Sequence, residues 1–469
     1  MGEDRRPGAA TAVRGATAVR GAALALSCAL LLTACSGGTE PAPRATASAK
    51  QADTVPLLPV PHGDGSELAA RGDDFNGDGL RDLVLDDLVH DSHGDDAGIG
   101  IAYSTRGGVP DGRARQLLAP ADVAAPTAGQ LPAAFDAAAT CDLDADGFTD
   151  LVVATDPPYD GIGRPPVPLQ LLFGSPGGLT GKAVKLVIPG PARYGNEWSD
   201  QPVCGDFDGD GRDDLVVHAS NAQISFLRGP FAKSGTRRGA PRSGKLLDAP
   251  GTVLRGPALD VNRDGRDDFV VRASGGTSRS SLVLGGPAGP TRTGATFPAG
   301  RDLVFGRFGW APAMDAAIAT RDRVGLRFDV PGTRRARLDT RAATLHTGDL
   351  DGDGRAELVV GTGGSTGPYL HTGGTRGPAP SAVPVPRTKA GGTRDVVAVA
   401  DFDGDGLDDL VLRTHRGETR DEVAVFRGTR GTKSGLAARP TRTFSTASFV
   451  ASFVAGARDV GGRTSGGVK

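Results

Sequence analysis

One acidic loop, repeated in a fixed frame, constrains this chain more than any other feature. Asp74, Asn76 and Asp78 alternate with other residues, Gly79 follows, Asp82 closes the loop, and Leu83-Val84-Leu85 comes next. The order recurs with Asp142, Asp144, Asp146 and Asp150, then with Asp206, Asp208, Asp210 and Asp214, and again with Asp260, Asn262, Asp264 and Asp268. Two further copies hold Asp349, Asp351, Asp353 and Glu357, and Asp401, Asp403, Asp405 and Asp409. Each is followed by an apolar run such as Leu-Val-Val, which reads as a strand.

The six loops start 68, 64, 54, 89 and 52 residues apart, and the interval of 89 is long enough for two units. Within it, Arg307 to Asp315 keeps the frame, the last acid and an apolar run, but has lost the first three ligands. That makes seven units. A second signal agrees: a short apolar strand ending in a Gly-rich turn follows each loop, as in Leu169–Gly174, Ile224–Gly229 and Val423–Gly428. Units of about 40–50 residues with several short strands predict an all-β fold, a seven-bladed β-propeller of four-stranded blades. The 71 Gly and 34 Pro among 469 residues exclude a helical bundle, because both interrupt helices.

Oxygen ligands at positions 1, 3 and 5 of a tight loop converge on one point, and the Gly at position 6 lets the backbone turn. Position 7 holds Leu80, Phe148, Arg212, Arg266, Arg355 or Leu407, which share no side-chain chemistry, so a backbone carbonyl is the expected ligand there. Position 9 adds a carboxylate. The set predicts calcium, up to six ions, since Ca²⁺ takes six to eight oxygens. An EF-hand needs its last acid at position 12 and helical flanks; here it stands at position 9 before strands.

These residues resemble the FG-GAP/VCBS repeats of the integrin α-subunit N-terminal propeller and its bacterial secreted relatives, over about residues 61–445. The Phe-Gly and Gly-Ala-Pro signatures are mostly eroded. The resemblance implies seven blades around a central channel with calcium on one face. It does not imply an integrin's function.

Arg5, Arg6, Arg14 and Arg20 precede an apolar run, Ala22 to Leu32, too short to span a bilayer. It ends in Leu32-Thr33-Ala34-Cys35, which resembles the lipobox of bacterial lipoproteins. We therefore expect a signal peptide at 1–34, a lipidated Cys35 heading a flexible tether at 35–60, the propeller at 61–456 and a disordered tail at 457–469. Residues 446–456 read as a last strand that helps close the ring, unless the segment near 53–60 does so. Cys141 and Cys204 sit just before equivalent loops, and an oxidising compartment predicts a disulfide between them.

The expected role is a binding, adhesion or scaffold module on the extracellular face of the cell membrane. Its partner would be a protein or cell-wall glycan, and the lipid anchor would be the only membrane contact. The module would act as a monomer without nucleic acid, since 53 basic and 55 acidic residues leave no basic bias. Six divalent ions would carry the formal charge from −2 to +10, favouring anionic wall polymers. Tyr159, Tyr194 and Trp198, in the longest inter-loop stretches, form the candidate ligand patch. No catalytic residue is expected. The alternatives are a lyase-like carbohydrate-active enzyme, which needs an acid, base and Arg cluster away from the loops, and an accessory subunit of an envelope complex.

Overall fold

The computed structural model describes residues 58–61, 72–89, 96–233, 243–273, 278–309, 313–330, 332–364, 366–388, 391–416 and 420–450. The segment 1–34, Cys35, most of 35–60 and the tail 457–469 lie outside them, and no helix among the described residues is long and apolar enough to cross a membrane.

Each apolar run after an acidic loop is a strand, and each belongs to its own antiparallel sheet, giving seven blades. Blade 2 is built from Phe135–Cys141, Asp150–Thr155, Leu169–Leu172 and Val184–Lys185; blade 3 from Val203–Gly205, Asp214–Ala219, Gln223–Arg228 and Ser243–Asp248. Blades 4 to 7 repeat the four-stranded plan, with strand order following chain order. Blade 1 shows three strands, Leu83–Val89, Asp96–Ala102 and Arg115–Leu118; residues 62–71, ahead of its acidic loop, lie outside the described ones. First strands touch between blades 2 and 3, 3 and 4, 5 and 6, and 6 and 7, so they stand innermost.

The core is not inside the blades but between them. Seven apolar clusters each join one blade to the next, as each sheet buries both faces. Every cluster contains the residue at loop position 2: Phe75, Leu143, Phe207, Val261, Phe308, Leu350 or Phe402, each buried. The loop thus drives one side chain into the neighbouring blade.

The ring closes where Leu83, Leu85 and Leu88 of blade 1 pack on Val411, Val423, Val425 and Phe444 of blade 7. Arg413 ties the same seam, donating to the carbonyls of Asp86 (2.7 Å) and Asp87 (2.9 Å). Here the structure corrects the sequence reading. Residues 447–450 are helical, not a strand, and 451–456 lie outside the described residues. Phe449 and Val450 are both buried in this cluster. A strand would point consecutive side chains to opposite faces, whereas a helix turn can present both to one seam. The N-terminal segment contributes one bridge, in which Leu58 N–H donates to the carbonyl of Arg113 at 2.8 Å.

Candidate metal centres

The acids of each loop first organise its own backbone. Asp206 Oδ1 accepts the N–H groups of Gly209 (2.7 Å) and Asp210 (3.0 Å), and its Oδ2 that of Gly211 (2.8 Å). Asp74 and Asp349 repeat this triad. Positions 4 and 6 need positive φ, supplied by Gly209 (77°) and Gly211 (80°); Ala145 (57°) and Arg263 (62°) hold position 4 at the steric cost of a Cβ. At position 5, a carboxylate oxygen accepts the N–H of position 7, as Asp210 does from Arg212 (3.1 Å) and Asp78 from Leu80 (3.0 Å).

Position 9 joins the loop to the third strand of its blade. Asp150 Oδ2 accepts the N–H of Leu143 (2.9 Å) and its Oδ1 that of Gly174 (2.8 Å). Asp82, Asp268, Glu357 and Asp409 make the same two bonds in their blades. The Gly-rich turn seen in the sequence follows from this close approach. A Cβ on Gly229 would stand 2.1 Å from the carbonyl oxygen of Asp213, and one on Gly174 2.4 Å from that of Thr149.

Position 8 stitches blade to blade, and sequence reasoning missed it. The side chains of Thr149, Asp213, Asp267 and Asp408 accept the N–H at position 1 of the preceding blade, from Asp74 (3.1 Å), Asp142 (3.0 Å), Asp206 (3.0 Å) and Asp349 (2.7 Å). Thr, Asp, Met, Ala and Arg all occupy position 8, so no motif reveals it. These residues ring a central cavity of about 790 Å³ at the loop end, with Arg81 and Arg307 beside them. At that end Cys141 and Cys204 form a disulfide between the first strands of blades 2 and 3, with Cα atoms 6.2 Å apart.

Four loops bring three carboxylates together with ligand atoms within 4.8 Å: Asp142, Asp144 and Asp146; Asp206, Asp208 and Asp210; Asp349, Asp351 and Asp353; and Asp401, Asp403 and Asp409. These clusters could hold a metal ion. In the other two loops position 3 is an amide, and Asn76 and Asn262 each donate to the position-5 carboxylates, Asp78 (3.3 Å) and Asp264 (3.2 Å).

The electrostatics favour a cation. Burial raises Asp74 and Asp268 to about 6, Asp144, Glu357 and Asp409 to about 7 and Asp214 to about 8, and holds Asp82 and Asp150 well above the usual range. For Asp144, repulsion from Asp146 adds to burial. Asp144 Oδ1 and Asp208 Oδ1 are buried without a hydrogen-bond partner. A divalent ion would satisfy these oxygens and reverse the shifts.

The opposite end of the wheel carries the aromatic residues. Acidic loops join first to second strands, so in an antiparallel sheet the 156–168 connection and the 186–202 link between blades 2 and 3 lie at the other end. There Tyr159 and Trp198 meet edge to face with centroids 5.9 Å apart. Tyr159 and Tyr194 are exposed, Ile162 is 79% exposed, and Trp198 is half-buried. No ring contact joins Tyr194 to the pair among the described residues. Beneath Trp198 lies buried His218, a lone His in an apolar strand that no spacing pattern marks. Its Nδ1 is 3.2 Å from the Trp198 carbonyl and 3.5 Å from Asp200, and its Nε2 is 3.4 Å from Glu197.

The profile of the FG-GAP-like repeat matches residues 142–217 and 339–412. No curated protein matches the chain. Among solved structures, BBS1N in complex with ARL6DN, soaked with mercury, shares 15% identity at a TM-score of 0.37, covering 66% of this chain and 81% of that one. An Agrocybe aegerita lectin, described for specific recognition of non-reducing terminal N-acetylglucosamine, shares 15% identity at a TM-score of 0.33, covering 80% and 84%. At TM-scores this low the blade count rests on this chain's own seven sheets. Over residues 142–217 and 339–412, therefore, the chain carries FG-GAP-like repeats, and they are set in a seven-bladed β-propeller.

Proposed function

We propose that this protein is a calcium-stabilised propeller, lipid-anchored through Cys35 on the extracellular face of the cell membrane, that binds a protein or cell-wall glycan as a monomer and does not catalyse. Calcium is the fitting ion because the donors are all oxygens, and carboxylate, amide and carbonyl ligands suit it. It would act structurally, closing the hairpins at one end of the wheel. The observation that carries the binding role is the edge-to-face pair of exposed Tyr159 and half-buried Trp198, with exposed Tyr194, at the other end and free of the metal loops. Flat rings with an apolar face and polar tips suit sugar faces or peptide side chains.

The test has two arms. A thermal melt of the mature chain with calcium and with chelator should differ by several degrees; identical melts would remove the structural metal. A glycan and wall-polymer array should give a hit that Tyr159→Ala and Trp198→Ala weaken by at least about tenfold, as hot-spot aromatics do. Turnover of any arrayed polymer would replace binding with catalysis.

A further inference from the structure

The six loops do not present equal sites, because some hold a cation of the chain's own. In blade 3, Arg228 ends the third strand and places Nε 2.6 Å from Asp208 Oδ2 and an Nη 3.1 Å from Asp210 Oδ2. In blade 7, Arg427 occupies the matching place, one residue before Gly428, and contacts Asp403 Oδ2. Both reach the enclosed carboxylate at position 3, with side chains 2% exposed for Asp208 and fully buried for Asp403. Blade 6 has Thr372 at that place, before Gly373. Its nearest base, Arg355, belongs to the loop and pairs at 2.7 Å with Asp353, whose side chain at position 5 is 38% exposed.

We propose that Arg228 and Arg427 are built-in competitors for a divalent cation, so that the Asp349 loop loads before the Asp206 and Asp401 loops, which load only by expelling a guanidinium. This rests on the metal reading above. A calcium ion sits about 2.3–2.6 Å from each ligand oxygen, so an ion on Asp208 Oδ2 would crowd a guanidinium nitrogen that is already 2.6 Å from that oxygen. The two positive charges would also repel at close range in a partly enclosed site. Expulsion is feasible because the Arg228 and Arg427 side chains are 43% and 34% exposed. Asp208 Oδ1, buried and without a hydrogen-bond partner, is left for an ion even while Oδ2 is engaged. Loading would therefore change the surface as well as the loop, releasing guanidinium groups at the metal end.

Hydrogen exchange of the chelator-treated full chain, followed by mass spectrometry across a calcium titration, tests this without altering the protein. Peptides covering 349–357 should become protected at calcium concentrations at least about fivefold below those for 206–214 and 401–409, the cost of breaking one ion pair of ordinary strength. The double variant Arg228→Gln, Arg427→Gln should bring the three midpoints together and leave the 349–357 midpoint in place. Equal midpoints in the wild type, or a gap that the variant leaves unchanged, would overturn the proposal with calcium binding intact. If no peptide responds to calcium, the metal reading fails as well.

Discussion

Blades 3 and 5 differ in one respect that separates fold from metal. Blade 3 has Asp206, Asp208 and Asp210 at positions 1, 3 and 5; blade 5 has Arg307 and Gly309 at positions 1 and 3. Both bury position 2 completely, as Phe207 and Phe308. Both use position 9: Asp214 accepts the N–H of Gly229 (2.9 Å), and Asp315 those of Phe308 (2.9 Å) and Asp329 (2.7 Å). The carbonyl at position 1 accepts an N–H from the following blade in each, from Asp267 to Asp206 (2.9 Å) and from Ala356 to Arg307 (2.8 Å). Hairpin and seam thus survive without the first ligands. Positions 2 and 9 and the backbone build the wheel, and the acids at positions 1, 3 and 5 are the part that blade 5 does without.

Chelation is the strongest way to break that comparison. A site held at about 100 times its Kd contributes about 2.7 kcal/mol, so removing calcium from several loops should cost several kcal/mol. Exchange should accelerate in 206–214 and 349–357 and stay level in 313–330. An equal response in blade 5 would mean that metal and fold are not separable as drawn.

Truncating position 2 should cost the same with or without metal. Phe308→Ala and Phe207→Ala each remove a fully buried ring, with an expected loss of about 3–5 kcal/mol. Denaturant melts of both variants in calcium and in chelator measure it. Asp315→Ala sharpens the point: it strips acceptors from two N–H groups, a loss of about 1–3 kcal/mol that chelator should not change. If the Asp315→Ala loss shrinks in chelator, blade 5 also feels an ion.

Much of this was legible because the loop acids repeat as residue types. Asp at 1, 3 and 5, an acid at 9 and Gly at 6 stand out at any spacing, and the lost copy at Arg307–Asp315 still keeps its frame. Position 2 was hidden because Phe, Leu and Val all fill an inter-blade gap, and position 8 because Thr149 and Asp213 accept equivalent N–H groups, of Asp74 and Asp142, by different atoms. The final segment misled because Ser-Phe-Val-Ala has no period long enough to separate strand from helix, and the blade 7 seam decided it. Arg228 and Arg427 looked like ordinary strand ends; only the fold brings them over Asp208 and Asp403.

The smallest expected effect lies at the other end of blade 3. His218 is held above its ordinary pKa, chiefly by the Asp200 carboxylate 3.5 Å from its Nδ1 and against the opposing effect of burial. A raised folded value means the contact stabilises fully below about pH 6.5, the unfolded value, and is lost as pH rises through the folded value. The loss concerns a loop that includes Trp198, so it should appear locally, at less than about 1 kcal/mol, since Glu197 is exposed and Asp200 half-exposed. The fluorescence of Trp198, read in a Trp310→Phe background from pH 5 to 8, should shift toward a more solvated ring as pH rises. His218→Gln should flatten that shift without altering the melt in calcium. Blade 5 carries Ala319 at the matching strand position, so its exchange should ignore pH apart from the intrinsic rate. A pH response shared by both blades would place the titrating group in the wheel as a whole and detach it from the aromatic loop.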